Sequence, residues 1–200
     1  MTLFQILMFI ASGYFAFRIY EHIQTLQDPQ NFENNDDVTM TSPNAQMLID
    51  MADEEFKNNN FKKSLELLED ANSKQRYDSE ILFKLGFVSQ KLKKSDDALR
   101  YFNQALEIDD KNEYIHNSIA SIYRANNEYA SAKTHLNESL AINDKNPITY
   151  YNYGNLLVDM KHTNEAKEMY KKALEIDPDF AEAKEELEKL EGKSENITNI

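Results

Sequence analysis

Small and large apolar residues recur at a fixed spacing between residues 45 and 180. The small columns are Ala52, Gly86, Ala120 and Gly154; then Ser64, Ala98, Ala132 and Ala166; then Ala71, Ala105, Ser139 and Ala173. Two columns of large apolar residues lie between them, Met51, Leu85, Ile119 and Tyr153, followed by Leu68, Phe102, Leu136 and Tyr170. A fixed period of this length indicates stacked supersecondary units, because small side chains let neighbouring helices approach closely.

Each repeat interval resolves into two helices. In the last interval, apolar residues fall at the i, i+3, i+4, i+7 spacing of one helix face. They are Tyr150, Tyr153, Gly154 and Leu157 in the first helix, and Ala166, Met169, Tyr170 and Ala173 in the second. The polar run 161–164 separates the two helices, and Pro178 stops the second one.

This pattern resembles the tetratricopeptide repeat (TPR), a helical unit of about 34 residues. Four units are expected, which we call units 1 to 4, at residues 45–78, 79–112, 113–146 and 147–180. Unit 1 departs most from the pattern, with Ser64 in a small column, Glu55 at an apolar position and Arg76 in place of a proline. The resemblance implies an all-α solenoid, in which the first helices line an extended concave face.

Residues 181–192 resemble the first helix of a further unit, with a charged outer face. Repeat arrays need a polar cap at an open end, so we predict a capping helix over these residues. The remaining residues, 193–200, are expected to be disordered.

The amino-terminal segment, residues 1–17, contains no charged side chain. A bilayer span needs roughly 20 helical residues, and Arg18 can lengthen this run by snorkelling. We therefore predict that residues 1–23 form a single-pass anchor in the lipid bilayer. Two alternatives stay open. One is a signal peptide cleaved near residues 11–13, although it would lack the usual basic start, and the other is a helix that packs on the repeats.

The residues that follow the charge-free run predict the orientation of the anchor and a linker between the anchor and the repeats. Basic residues favour the cytoplasmic flank of a span, so Arg18 places the repeats in the cytoplasm. Residues 24–44 are rich in Asn, Asp and Gln, contain two prolines and show no periodicity, which is typical of a flexible polar linker.

Charge and composition exclude several functions. The chain has 22 basic and 35 acidic residues, a net charge of −13 and a pI near 4.8, which argues against binding nucleic acid. It has no cysteine and only four glycines, and it lacks the motifs of a P-loop or a serine nucleophile. No catalytic residue, metal site or cofactor is predicted. The four histidines are scattered along the sequence, and His116 falls in a core column, where a structural role is expected.

The first helices carry the candidate binding residues. Carried onto this sequence, the ligand-facing positions of the family include Phe83, Lys84, Phe87, Lys91, Tyr114, Asn117, Arg124, Tyr151, Asn152 and Asn155. Asparagine can pair both groups of a peptide backbone, and aromatic residues supply rigid contact area. Some family members hold a partner's terminal carboxylate with Lys and Asn, but unit 1 has Ile49 and Asp53 there, so this clamp is absent.

Two functions remain. The first is a membrane-anchored adaptor or scaffold that binds a peptide or protein segment on the concave face. The alternative is a structural module that self-associates by stacking through its terminal repeats, at Phe180 and the cap. We expect truncation of Asn152 and Asn155 to weaken partner binding and leave the fold intact, whereas loss of the Tyr153 ring should destabilise it.

Overall fold

The computed structural model describes the backbone of residues 43–198 and the side chains of residues 43–192. Nine α-helices lie within these residues. They are α1 (Ala45–Lys57), α2 (Phe61–Lys74), α3 (Ser79–Lys91), α4 (Ser95–Ile108), α5 (Glu113–Ala125), α6 (Tyr129–Ile142), α7 (Pro147–Asp159), α8 (Thr163–Ile176) and α9 (Ala181–Thr198). The first eight pack as consecutive pairs, and each pair stacks on the next. The expected all-α repeat array is confirmed.

The first helix of every pair starts at a capping side chain that recurs with the period of the repeat. These caps are Asn44, Asp78, Asn112 and Asn146, and each accepts hydrogen bonds from backbone N–H groups in the first turn. Such bonds satisfy donors that every helix start leaves unpaired. Pro147 adds a residue whose fixed φ suits the first helical position.

The first helices also end alike. Asn59, Lys93, Asn127 and Lys161 have φ between 60° and 64°, and the N–H of the next residue bonds to a carbonyl in the last helical turn. This left-handed cap reverses the chain into the second helix. Tyr77 also has a positive φ, 62°, but it lies in the turn between units 1 and 2 and not at the end of a first helix. The equivalent later turns use an Asp or Asn side chain to accept a backbone N–H, as Asp109 does from Lys111.

Within each pair, the small and large columns match in size. Gly86 faces Phe102, and a β-carbon on Gly86 would lie 2.5 Å from that ring. Gly154 faces Tyr170 at an equally close approach. Units 1 and 3 combine an alanine with a leucine at the same two positions. The larger side chain in the second helix therefore goes with the smaller residue in the first.

The largest apolar cluster extends from α1 to α5, and two smaller clusters follow in units 3 and 4. Met51, which we placed in a core column, is 43% exposed, whereas Leu85 in the same column is fully buried. The prediction was wrong for Met51. Unit 1 is the first helix pair that the structure describes, so α1 has no described pair packed before it, while α3 and α5 each have one.

The carboxyl-terminal helix α9 packs on α8. It continues to Thr198, past residue 192, where we expected the capping helix to end and a disordered tail to begin. A single glycine, Gly192, disfavours a helix by only about 1 kcal/mol, and no proline follows it. The predicted anchor, residues 1–23, and the linker up to residue 42 lie outside the described residues. None of the helices between residues 43 and 198 combines the length and hydrophobicity of a bilayer span.

Candidate binding face of the first helices

The first helices of the four units are α1, α3, α5 and α7, and the last three of these carry all ten candidate residues. We call the side of these helices that bears them the first-helix face. Along it, α3 contacts α5, and α5 contacts α7. The face is therefore continuous over successive units, as a site for an extended segment requires.

Polar bonds join neighbouring first helices and use two of the candidate cations. Lys84 Nζ lies 2.8 Å from both carboxylate oxygens of Asp53 in α1. Arg124 donates from Nη1 to Asp159 in α7 at 2.9 Å. Both cations are thus neutralised by carboxylates of the chain itself, so they supply less attraction for an acidic ligand than the sequence suggested.

Lys91 lies elsewhere on this face. Its Nζ is 5.3 Å from the centroid of the Phe87 ring, a cation–π arrangement. Among the described residues, no carboxylate pairs with it. Of the three basic candidates, Lys91 is the one whose charge is open to a ligand.

Asn117 is not part of the accessible face. Its side chain is only 5% exposed, and its Nδ2 donates to Ser139 Oγ at 3.0 Å and to Thr149 Oγ1 at 2.8 Å. Ser139 in turn bonds to the backbone carbonyl of Glu113. The predicted role of Asn117 in ligand binding is therefore corrected: it joins units 3 and 4, because a buried amide must find partners inside the protein.

Asn152 and Asn155 also make bonds within the fold. Asn152 donates to Asn117 Oδ1 at 3.2 Å. Asn155 accepts from the hydroxyl of Tyr170 at 2.8 Å, and burial raises the pKa of that tyrosine. Truncating Asn155 would leave a buried hydroxyl unpaired, so the double truncation is not the structurally neutral change that the sequence suggested.

The two aromatic candidates of unit 2, Phe83 and Phe87, form one wall with Phe56 of unit 1, which the sequence analysis did not select. The ring centroids of Phe83 and Phe87 are 6.3 Å apart, and those of Phe56 and Phe87 are 5.5 Å apart. Beside them lies a pocket of about 220 Å³ between α1, α2 and α3. We call it the three-phenylalanine pocket; its lining residues are Asp53, Phe56, Ser64, Leu68, Phe83, Lys84, Phe87 and Val88.

The tyrosines of units 3 and 4 lie in different surroundings. Tyr151 is half-buried between Tyr170 and Phe180, with ring centroids 6.0 and 5.2 Å away. Tyr114 is 49% exposed and stands at the start of α5. Tyr114 is thus available for contact, whereas Tyr151 supports the contact between unit 4 and α9.

The fold also brings together two histidines that looked unrelated in the sequence. Nδ1 of His116 in α5 lies 3.1 Å from Nδ1 of His135 in α6, and Tyr123 stacks on His135. Burial lowers the pKa of both rings. The nearby charge of His116 lowers the pKa of His135 further, while the carboxylate of Glu138 opposes both shifts. Their spacing along the sequence gives no helical signal, and only the pairing of α5 with α6 reveals the contact.

Metal chemistry finds no support in the described part of the chain. Within it, no three histidine or carboxylate side chains are placed to hold a metal ion.

Comparison with known proteins identifies the repeat. Family models described as tetratricopeptide repeats match residues 79–112, 114–146 and 148–180. This chain belongs to the tetratricopeptide repeat family. The matched ranges coincide with the pairs α3–α4, α5–α6 and α7–α8. A TPR domain is a typical protein- or peptide-binding module, and the family is generally non-enzymatic.

Two known proteins contain a segment similar to this chain. The anaphase-promoting complex subunit CDC16 of Saccharomyces cerevisiae is 33% identical over 98 residues, which cover 46% of this chain and 12% of that protein. RNA polymerase II-associated protein 3 of Xenopus tropicalis is 29% identical over 104 residues, which cover 52% of this chain and 16% of that protein. This TPR chain therefore spans only a small part of either relative.

A solved structure, the first TPR of Spaghetti (RPAP3) bound to the HSP90 peptide SRMEEVD, is 26% identical and superposes with a TM-score of 0.54. The superposition covers 57% of this chain and 91% of that one.

Proposed function

We propose that this TPR chain is an adaptor that holds a segment of a partner protein against its first-helix face. The observation that carries the proposal is the half-buried aromatic wall of Phe83 and Phe87 beside an open pocket. Large apolar surface that stays accessible on a folded protein typically marks an interaction site. The bound Spaghetti structure supports peptide binding as a use of this fold.

The partner differs from a clamped chaperone tail. Ile49 and Asp53 replace the basic and amide residues of that clamp, and Asp53 already pairs with Lys84. The partner segment is therefore an internal stretch of chain held by side-chain contacts, and a free carboxylate is not needed.

Replacing matched pairs of exposed apolar residues tests whether the partner binds the first helices or the second helices. Tyr114 and Ile148 occupy equivalent positions on first helices, while Ile108 and Ile176 occupy equivalent positions on second helices, and all four are exposed. Partners are first captured with the full chain and identified, and their affinity is then measured by calorimetry. Replacing Tyr114 and Ile148 by serine should weaken binding by about tenfold or more.

The matched control replaces Ile108 and Ile176 by serine and should leave the affinity unchanged. If the control weakens binding and the first-helix variant does not, the partner binds the second helices and the proposal is wrong.

We further propose that residues 1–23 tether the adaptor to a lipid bilayer with the repeats on the cytoplasmic side. The uncharged run of residues 1–17 supports this. Deletion of residues 1–23 should release the protein from the membrane fraction. A full-length protein that is soluble without detergent, or a mature chain that begins near Tyr14, would contradict the tether.

Self-association remains the second candidate, and one observation favours it. Met47 and Met51 are exposed one turn apart on α1, so this end of the described array offers an apolar ridge. At the other end, Phe180 packs on Tyr151 and the exposed residues of α9 are mostly Glu and Lys. Stacking is thus disfavoured at the cap. A chain that stays monomeric over a wide concentration range would exclude this function.

A further inference from the structure

Ser64 lines the three-phenylalanine pocket and carries a hydroxyl with no partner among the described residues. Ser64 is 1% exposed, and its Oγ makes no hydrogen bond among the described residues. The other walls are mainly apolar, with the rings of Phe56, Phe83 and Phe87 at one side. Buried polar groups in folded proteins are nearly always satisfied, so an unpaired hydroxyl in an open pocket requires an explanation.

Helix packing does not explain this serine. The equivalent residues of units 2, 3 and 4 are Ala98, Ala132 and Ala166, all of them fully buried. Alanine therefore fills this contact between the first and second helix of a unit. The hydroxyl of Ser64 adds nothing to that contact, and the residue lines a pocket whose other walls are mainly rings and aliphatic side chains.

We propose that the pocket binds a tyrosine side chain of the partner segment, with its phenol hydroxyl bonded to Ser64 Oγ. The inference rests on the proposed function of the first-helix face. A tyrosine ring packs well against aromatic walls in edge-to-face or offset geometry, and its hydroxyl can both donate and accept. Leucine or phenylalanine would fill the same space but leave Ser64 unpaired.

The size of the pocket agrees with a single side chain. Its volume of about 220 Å³ lies below the about 300–1,000 Å³ that is usual for drug-sized ligands. The ion pair of Asp53 and Lys84 lines the pocket as well. Because these two charges neutralise each other, they do not favour a charged group inside the pocket.

Charge at the edge of the aromatic wall indicates what flanks the tyrosine. Lys91 stands over the Phe87 ring, and no described carboxylate pairs with it. An acidic residue next to the tyrosine would place its carboxylate near this ammonium. The segment that fits best is therefore a tyrosine with an aspartate or glutamate beside it.

The first test uses two small probes, N-acetyl-tyrosinamide and N-acetyl-phenylalaninamide. Each is titrated into the full ¹⁵N-labelled chain, and the amide shifts of α1, α2 and α3 report binding. One net hydrogen bond corresponds to a preference of about two- to tenfold for the tyrosine probe. The Ser64→Ala variant should bind both probes equally, and it should fold, since alanine stands at this position in three other units.

Ser89→Ala is the matched control. Ser89 is also fully buried and unpaired, but it does not line the pocket. This variant should keep the tyrosine preference. Equal binding of the two probes to the unmodified chain, or a preference that survives Ser64→Ala, would overturn the proposal.

The second test uses the peptide acetyl-Gly-Ser-Tyr-Glu-Ser-Gly-amide and the same peptide with glutamine in place of glutamate. The glutamate peptide should bind more tightly by about two- to fivefold at low salt. Lys91→Gln should remove the difference. A difference in affinity that persists in Lys91→Gln would show that the glutamate contacts a residue other than Lys91, and would overturn the role proposed for Lys91.

Selection from a random peptide library separates this proposal from the proposed function. If the library yields binders to the first-helix face and neither tyrosine probe binds, the function stands and the tyrosine pocket is wrong. If the library yields none and the probes do not bind, both fail. Tyr77 is 85% exposed, so concentration-dependent association that Tyr77→Ser abolishes would assign the pocket to a second copy of this chain and overturn the partner segment.

Discussion

Two neighbouring junctions in this TPR array achieve the same stacking with different chemistry. The junction of units 2 and 3 uses apolar residues at three positions, and the junction of units 3 and 4 uses polar residues at the equivalent positions. The first set is Phe83, Ala105 and Ile115, and the second is Asn117, Ser139 and Thr149. The junction of units 1 and 2 is also apolar, with Ile49, Ala71 and Ile81.

The difference teaches that one array can combine apolar junctions with a junction whose register is set by hydrogen bonds. Apolar contact is non-directional, so the first two junctions impose no hydrogen-bonding register on their helices. The hydrogen bonds of Asn117 require one register between α5, α6 and α7. A fully satisfied buried network favours a unique arrangement. Units 3 and 4 thus share the hydrogen-bonded junction, and units 1 and 2 carry the pocket.

The largest effect is expected at the polar junction. Asn117→Ala should lower the free energy of unfolding by about 2–4 kcal/mol, because it leaves a cavity and removes partners from buried hydroxyls. Urea unfolding measures it. The triple replacement Asn117→Leu, Ser139→Ala and Thr149→Ile should recover most of the loss, since it makes the junction apolar throughout. If the triple variant is no more stable than Asn117→Ala, the loss of stability does not come from buried polar groups that have lost their partners.

The next largest loss of stability is expected at the two glycines that pack against a ring, Gly86 in unit 2 and Gly154 in unit 4. Gly86→Ala should destabilise by about 1–3 kcal/mol, because the new β-carbon overlaps the Phe102 ring. Gly154→Ala should be the more harmful of the two, since the hydrogen bond to Asn155 prevents the Tyr170 ring from moving aside. Thermal unfolding compares them. Gly192→Ala is the control, because nothing lies within 4 Å of its added carbon, and equal losses at residues 86 and 192 would refute the steric account.

The histidine pair predicts a pH dependence confined to unit 3. Burial lowers the pKa of His116 and His135 in the folded state, while unfolded histidine titrates near 6.5. Below about pH 6.5 the unfolded chain therefore binds more protons than the folded chain, and stability falls as the pH falls. It levels off below the folded pKa values.

Unit 2 supplies the comparison for this pair, because Leu82 and Tyr101 stand at the equivalent positions. The double variant His116→Leu and His135→Tyr should have a flatter stability profile between pH 7 and pH 5. An unchanged profile would place the acid sensitivity in other groups.

The smallest effects concern the ion pairs between first helices. Lys84→Gln and Arg124→Gln should each change the free energy of unfolding by about 0–1 kcal/mol, since both pairs are partly exposed. Raising the salt concentration should shrink the difference from the unmodified chain. A much larger loss would mean that these bonds hold the units together, and the contrast between the junctions would lose its basis.

The sequence was sufficient for the repeat and insufficient for the site. The repeat period placed the small columns correctly, since size matching as between Gly86 and Phe102 is a local property of each unit. It could not show that Asn117 is buried, because that depends on two other polar residues, Ser139 and Thr149, in different helices. The same holds for Asn155, whose partner Tyr170 lies 15 positions away. Repeat position predicts which way a side chain faces but not what it bonds to.

Amide hydrogen exchange of the full chain, alone and with a peptide selected from a random library, tests the central claim most directly. Binding to the first-helix face predicts slower exchange in α1, α3, α5 and α7, with the largest slowing in α1 and α3, where the pocket lies. Exchange in α4, α6 and α8 should change little. Protection confined to the second helices or to α9 would contradict the account.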